Sequence, residues 1–219
     1  MYERRLGSYR AGWTAGGPTL DGVELRTRVR SLSFLPVDIG GSKIVLGSGD
    51  QDGFVRAAVF GAEVSFKRDP VKAITSTEKL VFSSEVNDIA CDWVKGGIVG
   101  CSDRREIKTL ALLPDSHLTV NEDLGPLEKV GRATPVPKCV SYTASGAAIV
   151  VGHNRGGIMV MDPRGVSELE LKFPNEDFND VDASKVSEHV VASASKSGCV
   201  RVHDLRQPKI PTLNVGIFG

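Results

Sequence analysis

Four cysteines and four histidines are the residues of this chain with the widest chemical reach. Cys91, Cys101, Cys139 and Cys199 are separated by 10, 38 and 60 residues, with no Cys-x-x-Cys pair. Zinc clusters need close-set ligand pairs, and small disulfide scaffolds need densely spaced cysteines, so neither chemistry fits. Each thiol instead lies in or beside an apolar run, which predicts free, buried cysteines in a reducing compartment. His117, His153, His189 and His203 are scattered, and no serine elbow or cysteine-histidine motif accompanies them. The expectation is a protein without catalytic residues, bound metal or cofactor.

Two acidic or glycine-rich stretches imitate ligand sites. Gly47-Ser48-Gly49-Asp50-Gln51-Asp52-Gly53 looks like a phosphate cradle, but apolar strand-like runs flank it on both sides. Such cradles need a helix N-terminus to hold the anion, so the stretch is read as a hairpin turn. Asp177 to Asp182 begins like a calcium loop, yet Val181 takes the third ligand position and the turn glycine is missing. It is read as the approach to a strand.

Surface charge offers a third kind of chemistry. Arg26, Arg28 and Arg30 alternate with Leu25, Thr27 and Val29, so a strand there would put three guanidinium groups on one face, able to clamp an acidic partner. Glu168 to Phe173 alternates likewise and reads as an exposed outer strand. Residues 69–85 and 115–132 are long and mixed in character; they are read as protruding loops that could carry partner contacts.

The elements that must position these residues come from a repeat. Gly198-Cys199-Val200-Arg201-Val202-His203-Asp204-Leu205-Arg206 has a relative in Gly156-Gly157-Ile158-Met159-Val160-Met161-Asp162-Pro163-Arg164. Weaker copies are Gly53-Phe54-Val55-Arg56-Ala57 and Arg105-Glu106-Ile107-Lys108-Thr109, the last with its glycine replaced. The pivots Gly53, Arg105, Gly156 and Gly198 are 52, 51 and 42 residues apart. A second series, anchored at Leu32, Ile89, Val140 and Val181, has spacings of 57, 51 and 41. Between the two series every unit carries a third apolar run, such as Ile149-Val150-Val151. Each unit thus reads strand, turn, strand, turn, strand, with positive-φ residues expected at the pivots. Ile44, Val45, Leu46, Ile98, Val99, Ile149, Val150, Val151, Val190 and Val191 are the expected buried middle strands. Small sheets of this kind bury both faces by packing around an axis.

These residues resemble the WD-repeat proteins. The resemblance runs from about residue 26 to 206 and is best from Ala192 to Arg206; His203-Asp204 and Met161-Asp162 stand where the family usually carries Trp-Asp, as do Leu110-Ala111 and Ala58-Val59. It implies an all-β fold, a WD-repeat-like β-propeller with about four blades, at residues 26–62, 80–113, 134–164 and 176–206. Residues 1–25 are expected to add one strand of a neighbouring blade, and 207–219 to lead toward a further blade or an end. Family rings usually have more blades, so the expectation is either part of a longer propeller or an open ring that a partner completes.

Composition agrees with that reading. Of 219 residues, 41% are hydrophobic, with 24 glycines and 11 prolines, as suits a turn-rich β protein. The 27 basic and 27 acidic residues balance, so no global charge points to nucleic acid. No apolar run is long enough to span a membrane, and the first 25 residues lack a signal-like apolar stretch. The expected location is intracellular, in cytoplasm or nucleus, the nuclear envelope included. The resemblance implies a non-catalytic scaffold subunit of a multiprotein assembly, of nuclear-pore or coat type, whose partners are other proteins that complete the propeller. The alternative it implies is a substrate receptor of a cullin-type ubiquitin ligase, in which a Trp-Asp-x-Arg ending docks the adaptor; here Asp204 and Arg206 remain and the Trp is lost. The candidate partner-binding residues are Arg26, Arg28, Arg30, Asp204 and Arg206.

Overall fold

The computed structural model describes residues 28–35, 43–61, 75–92, 94–113, 117–125, 134–174, 176–208 and 213–216. The first sheet is built from β1 (Val29–Leu35), β2 (Lys43–Asp50), β3 (Phe54–Gly61) and β4 (Thr75–Leu80). The second holds β5 (Val86–Cys91), β6 (Gly97–Ser102), β7 (Ile107–Leu112) and β8 (Leu118–Asp123). The third holds β9 (Pro137–Tyr142), β10 (Ile149–His153), β11 (Gly157–Met161) and β12 (Ser167–Lys172), and the fourth β13 (Phe178–Ala183), β14 (Val190–Ser195), β15 (Cys199–Asp204) and β16 (Leu213–Gly216). Every sheet pairs its strands in chain order and antiparallel throughout. Among the described residues there is no helix.

The sheets follow one another as blades. β1 lies against β5, β5 against β9, and β9 against β13, so the first strand of each sheet is the innermost. No contact of comparable extent joins the first sheet to the fourth among the described residues. This is the arrangement of a four-bladed β-propeller, and among the described residues nothing of comparable extent covers the outer faces of its first and last sheets.

Alternation along each strand feeds two cores at once. In β10, Val150 packs with Phe178, Val181 and Val191 of the fourth sheet, while Ile149 and Val151 pack with Val99, Cys101 and Ile107 of the second. A strand buried on both faces must be apolar in succession, which is why the middle strands read as unbroken runs. Two expected members differ. Leu46 and Val190 are only half-buried, because each faces outward from a terminal sheet; the side chain of Ile44 falls outside the described residues.

The pivots behave as one structural position. Gly53, Gly156 and Gly198 have φ of 88°, 70° and 81°, and Arg105, the replaced glycine, adopts 69°. A Cβ at Gly156 would drive into the Phe173 carbonyl oxygen. That carbonyl belongs to the segment that carries the chain to the next blade, which crosses directly over the pivot. Phe173 N donates to Gly156 O at 2.5 Å, Leu124 N to Ile107 O at 2.9 Å, and Val81 N and Phe82 N to Gly53 O at 3.1 Å. Phe82 is thereby buried between the first two sheets, and Leu124 and Phe173 pack at the next two junctions.

Each sheet also has a fourth, outer strand that the three-strand reading lacks. β4 and β8 lie inside the two stretches read as protruding loops, residues 69–85 and 115–132. Their sequences, Thr-Ser-Thr-Glu-Lys-Leu and Leu-Thr-Val-Asn-Glu-Asp, are polar because an outermost strand needs only hydrogen bonds from its neighbour. β12 is the outer strand expected at Glu168 to Phe173.

Candidate protein-binding interface

The innermost strands carry a recurring clasp between blades. Ser31 Oγ accepts the Ile89 amide at 3.1 Å and donates to Asp88 Oδ1 at 2.6 Å. One blade further, Asp88 Oδ2 accepts the Val140 amide at 3.0 Å. One blade further again, the same register holds Cys139, whose thiol donates to Gly152 O of its own blade at 3.8 Å. Ser31, Asp88, Cys139 and Asp180 share one register, and so do Leu32, Ile89, Val140 and Val181. At the first two junctions a side chain of one blade thus captures a main-chain N–H of the next blade's innermost strand, which meets the need of an edge strand for a partner. A second clasp lies two residues on, where Ser141 Oγ accepts the Ala183 amide at 3.1 Å and donates to Asp182 at 3.0 Å.

Electrostatics follow from this burial. Asp88 is raised from 3.8 to about 6, chiefly by desolvation, against the hydrogen bonds of Ser31 and Val140 and with the charge of Asp180 adding to the rise. Desolvation pushes the Cys91 thiol up to about 11 and raises Cys101 and Cys139 well above the ordinary thiol range. These three are buried and inert, as expected, whereas Cys199 is only half-buried. His203 is lowered to about 4 by burial and by Arg201; its Nε2 lies 3.1 Å from Ser193 Oγ, a hydrogen bond within the fourth blade. Among the described residues no group of histidine, cysteine and acidic side chains could hold a metal ion.

The expected partner-binding residues do not converge. Arg26 lies outside the described residues. Arg28 is exposed, and Arg30 pairs with Glu85. A bulge lies between Val29 and Ser31, inside the stretch whose alternation was expected to put the arginines on one face. Asp204 accepts the Arg206 amide at 3.0 Å, and its carboxylate takes Arg206 Nε and Nη2 at 2.9 and 2.6 Å. Asp162 and Arg164 repeat this closed turn. Val29 pairs with Asp50 at the end of β2, while Asp204 pairs with Val190 at the start of β14. The arginines of β1 and the Asp204–Arg206 turn therefore stand at opposite rims.

An open ring was among the expectations from the sequence; the residues that line its two end faces were not singled out there. Leu32 is 51% exposed where its register equivalents Ile89, Val140 and Val181 are each 3% exposed, and Phe34 is 58% exposed where its own equivalents Cys91, Tyr142 and Ala183 are buried. At the other end, Leu213 and Val215 on β16 are exposed beside half-buried Val200 and Val202. The equivalents of Val200, which are Val55, Ile107 and Ile158, are fully buried under the next blade. The signal was present in the sequence, since four equivalent positions are all apolar while only three junctions exist to cover them.

Fold and interface together define the class: a β-propeller of four described blades with exposed apolar residues on its end faces. No family model and no curated protein matches the chain.

Proposed function

We propose that this protein is a non-catalytic interaction platform of the WD-repeat type, a structural subunit of a multiprotein assembly. One observation carries the reading: Leu32 and Phe34 are about half exposed where the same positions of the other blades are closed over. Contiguous exposed apolar surface on a β-sheet is a binding surface or an aggregation hazard, and a protein-interaction role gives it a use. The Asp-x-Arg repeat endings at Asp162 and Asp204, each closed by its own arginine, support the WD-repeat reading. Nuclear-pore or coat scaffolds are the assemblies that the WD-repeat resemblance suggests.

Affinity capture of the tagged chain with mass spectrometry tests the reading. Recovery of scaffold subunits, lost in a Leu32→Glu variant, supports it. Recovery of ligase adaptors instead, lost in an Arg206→Ala variant, would replace it with the ubiquitin-ligase receptor. Turnover of a small-molecule substrate would overturn it.

A further inference from the structure

The turn that joins the second and third strands of each sheet lies beside the start of its innermost strand, and on two adjacent blades this turn carries exposed arginines. Arg104 and Arg155 hold the same place, one residue before the pivot, and Arg105 is itself a pivot. Asp52 and Ser197 take that place in the first and fourth blades. Among the described residues the guanidinium groups of Arg104, Arg105 and Arg155 have no ion pair or hydrogen bond. The acids around them are already held: Glu85 by Arg30, Asp103 by Lys138 at 2.7 Å, and Glu106 by Lys108 at 2.9 Å. Asp123 shares Lys108 from the outer strand at 3.8 Å and offsets only part of the surplus positive charge.

Hydrogen bonds tie the two turns together across the junction. Asp103 takes Asn87 Nδ2 at 2.9 Å, and the same amide group reaches Pro137 O of the third blade at 2.8 Å. Pro137 pairs with His153, whose Nδ1 accepts the Arg155 amide at 3.1 Å. Asn154 and Val136 exchange two further bonds, and the Arg104 amide is held by Ser84 Oγ at 3.1 Å. The backbone is thus fixed while the charged heads project freely, which confines the ordering cost of binding to side chains. Arg105 adds an independent sign. It holds φ of 69° where the other three pivots are glycine, and its side chain makes no contact inside the fold that would offset this strain. A strained non-glycine residue at an exposed turn points to a use outside the fold.

We propose that Arg104, Arg105 and Arg155 form a docking surface for an acidic peptide segment of a partner protein, its Asp or Glu carboxylates taken by the guanidinium forks. Arginine suits this task because its planar fork binds a carboxylate through two parallel hydrogen bonds. The three cations are divided between two turns, with the Lys138–Asp103 pair joining them. That spread matches carboxylates spaced along a chain better than one compact phosphate group. Nucleic acid is a poorer match, since its surfaces carry a basic stripe on a basic domain, whereas 27 basic and 27 acidic residues balance here. The inference goes beyond the platform reading by naming a partner chemistry, and none of its three residues lies on the first sheet.

Fluorescence anisotropy of a labelled hexaglutamate peptide, titrated with the full purified chain, tests it, with hexaglutamine and an oligothymidylate of equal charge as comparison probes. Hexaglutamate should bind at least tenfold more tightly than hexaglutamine, a difference of about 1.4 kcal/mol, and should weaken as salt is raised. The double variant Arg104→Ala, Arg155→Ala should lose about that tenfold while keeping the wild-type circular dichroism. Arg105→Gly should weaken peptide binding while raising the urea midpoint, two opposite changes that a merely structural role would not give. Leu32→Glu should bind the peptide as the wild type does, so that loss of scaffold capture and loss of peptide binding are read apart. No preference over hexaglutamine, or full binding by the double variant, overturns the proposal. So does tighter binding of the oligothymidylate, which would make the patch a nucleic-acid surface. Loss of the peptide in Leu32→Glu also overturns it, by placing the peptide on the apolar face.

Discussion

Ser31 on the innermost strand of the first blade donates to Asp88 on that of the second across 2.6 Å, while taking the amide of Ile89 onto the same hydroxyl. Asp88 in turn takes the Val140 amide of the third blade. One carboxylate therefore bridges three blades, where half-burial makes both its bonds and its charge consequential.

The pH dependence of stability should reveal that carboxylate. Its folded-state value is raised from 3.8 to about 6, so its favourable contribution is complete below about 3.8 and is lost as pH rises through about 6. The full shift corresponds to about 3 kcal/mol. His203, lowered from 6.5 to about 4, works in the opposite direction, because its contribution is lost as pH falls from 6.5 toward 4. His153, also lowered by burial, acts in the same direction as His203, and Asp88 offsets part of their combined loss on acidification. Asp88→Asn keeps a hydrogen-bonding amide but removes the titration, so its urea midpoint should fall more steeply on acidification. Parallel slopes for the two proteins would refute the assignment.

The pivot position should respond with opposite signs in different blades. Arg105 holds φ of 69°, a conformation that costs a non-glycine residue about 1–2 kcal/mol. Arg105→Gly should raise stability by about 1 kcal/mol, part of the relief being offset by the freer unfolded chain. Gly156→Ala should lower it by several-fold more, since the new methyl meets the Phe173 carbonyl. Chemical denaturation of both variants checks the pair.

Removing the first junction plug should be among the costliest single changes. Phe82 is buried between the first two sheets with Lys108 Nζ 5.5 Å from its ring centre. Phe82→Ala should cost about 3–5 kcal/mol, measured by thermal unfolding against the wild type. A loss under 1 kcal/mol would show that the junction repacks.

Middle strands should differ according to whether another blade covers them. Ile149 is fully buried, and Ile149→Ala should cost about 2–5 kcal/mol. Leu46 stands at the equivalent register on an open face, so Leu46→Ala should cost well under half as much in a one-chain state. Equal losses would place a cover on the first sheet.

Much of this architecture is legible in local pattern. The pivots at Gly53, Arg105, Gly156 and Gly198 set the register of four units, and even the replaced glycine takes the left-handed backbone its repeat position requires. That was readable because turn geometry and strand alternation are decided by residues adjacent in the chain. The outer strands β4 and β8 were not, since an edge strand with solvated side chains carries no apolar signature and is defined only by the neighbour it pairs with. The candidate site divides in the same way. Arg28, Arg30, Asp204 and Arg206 are visible as charged residues, but their separation to opposite rims is a property of strand direction and bulge position. The open faces lie at the boundary between the two kinds of information. The sequence by itself made Leu32, Ile89, Val140 and Val181 apolar alike; which of them is covered depends on how many blades stack and where the stack ends, and burial is a relation between surfaces that only the tertiary structure can decide.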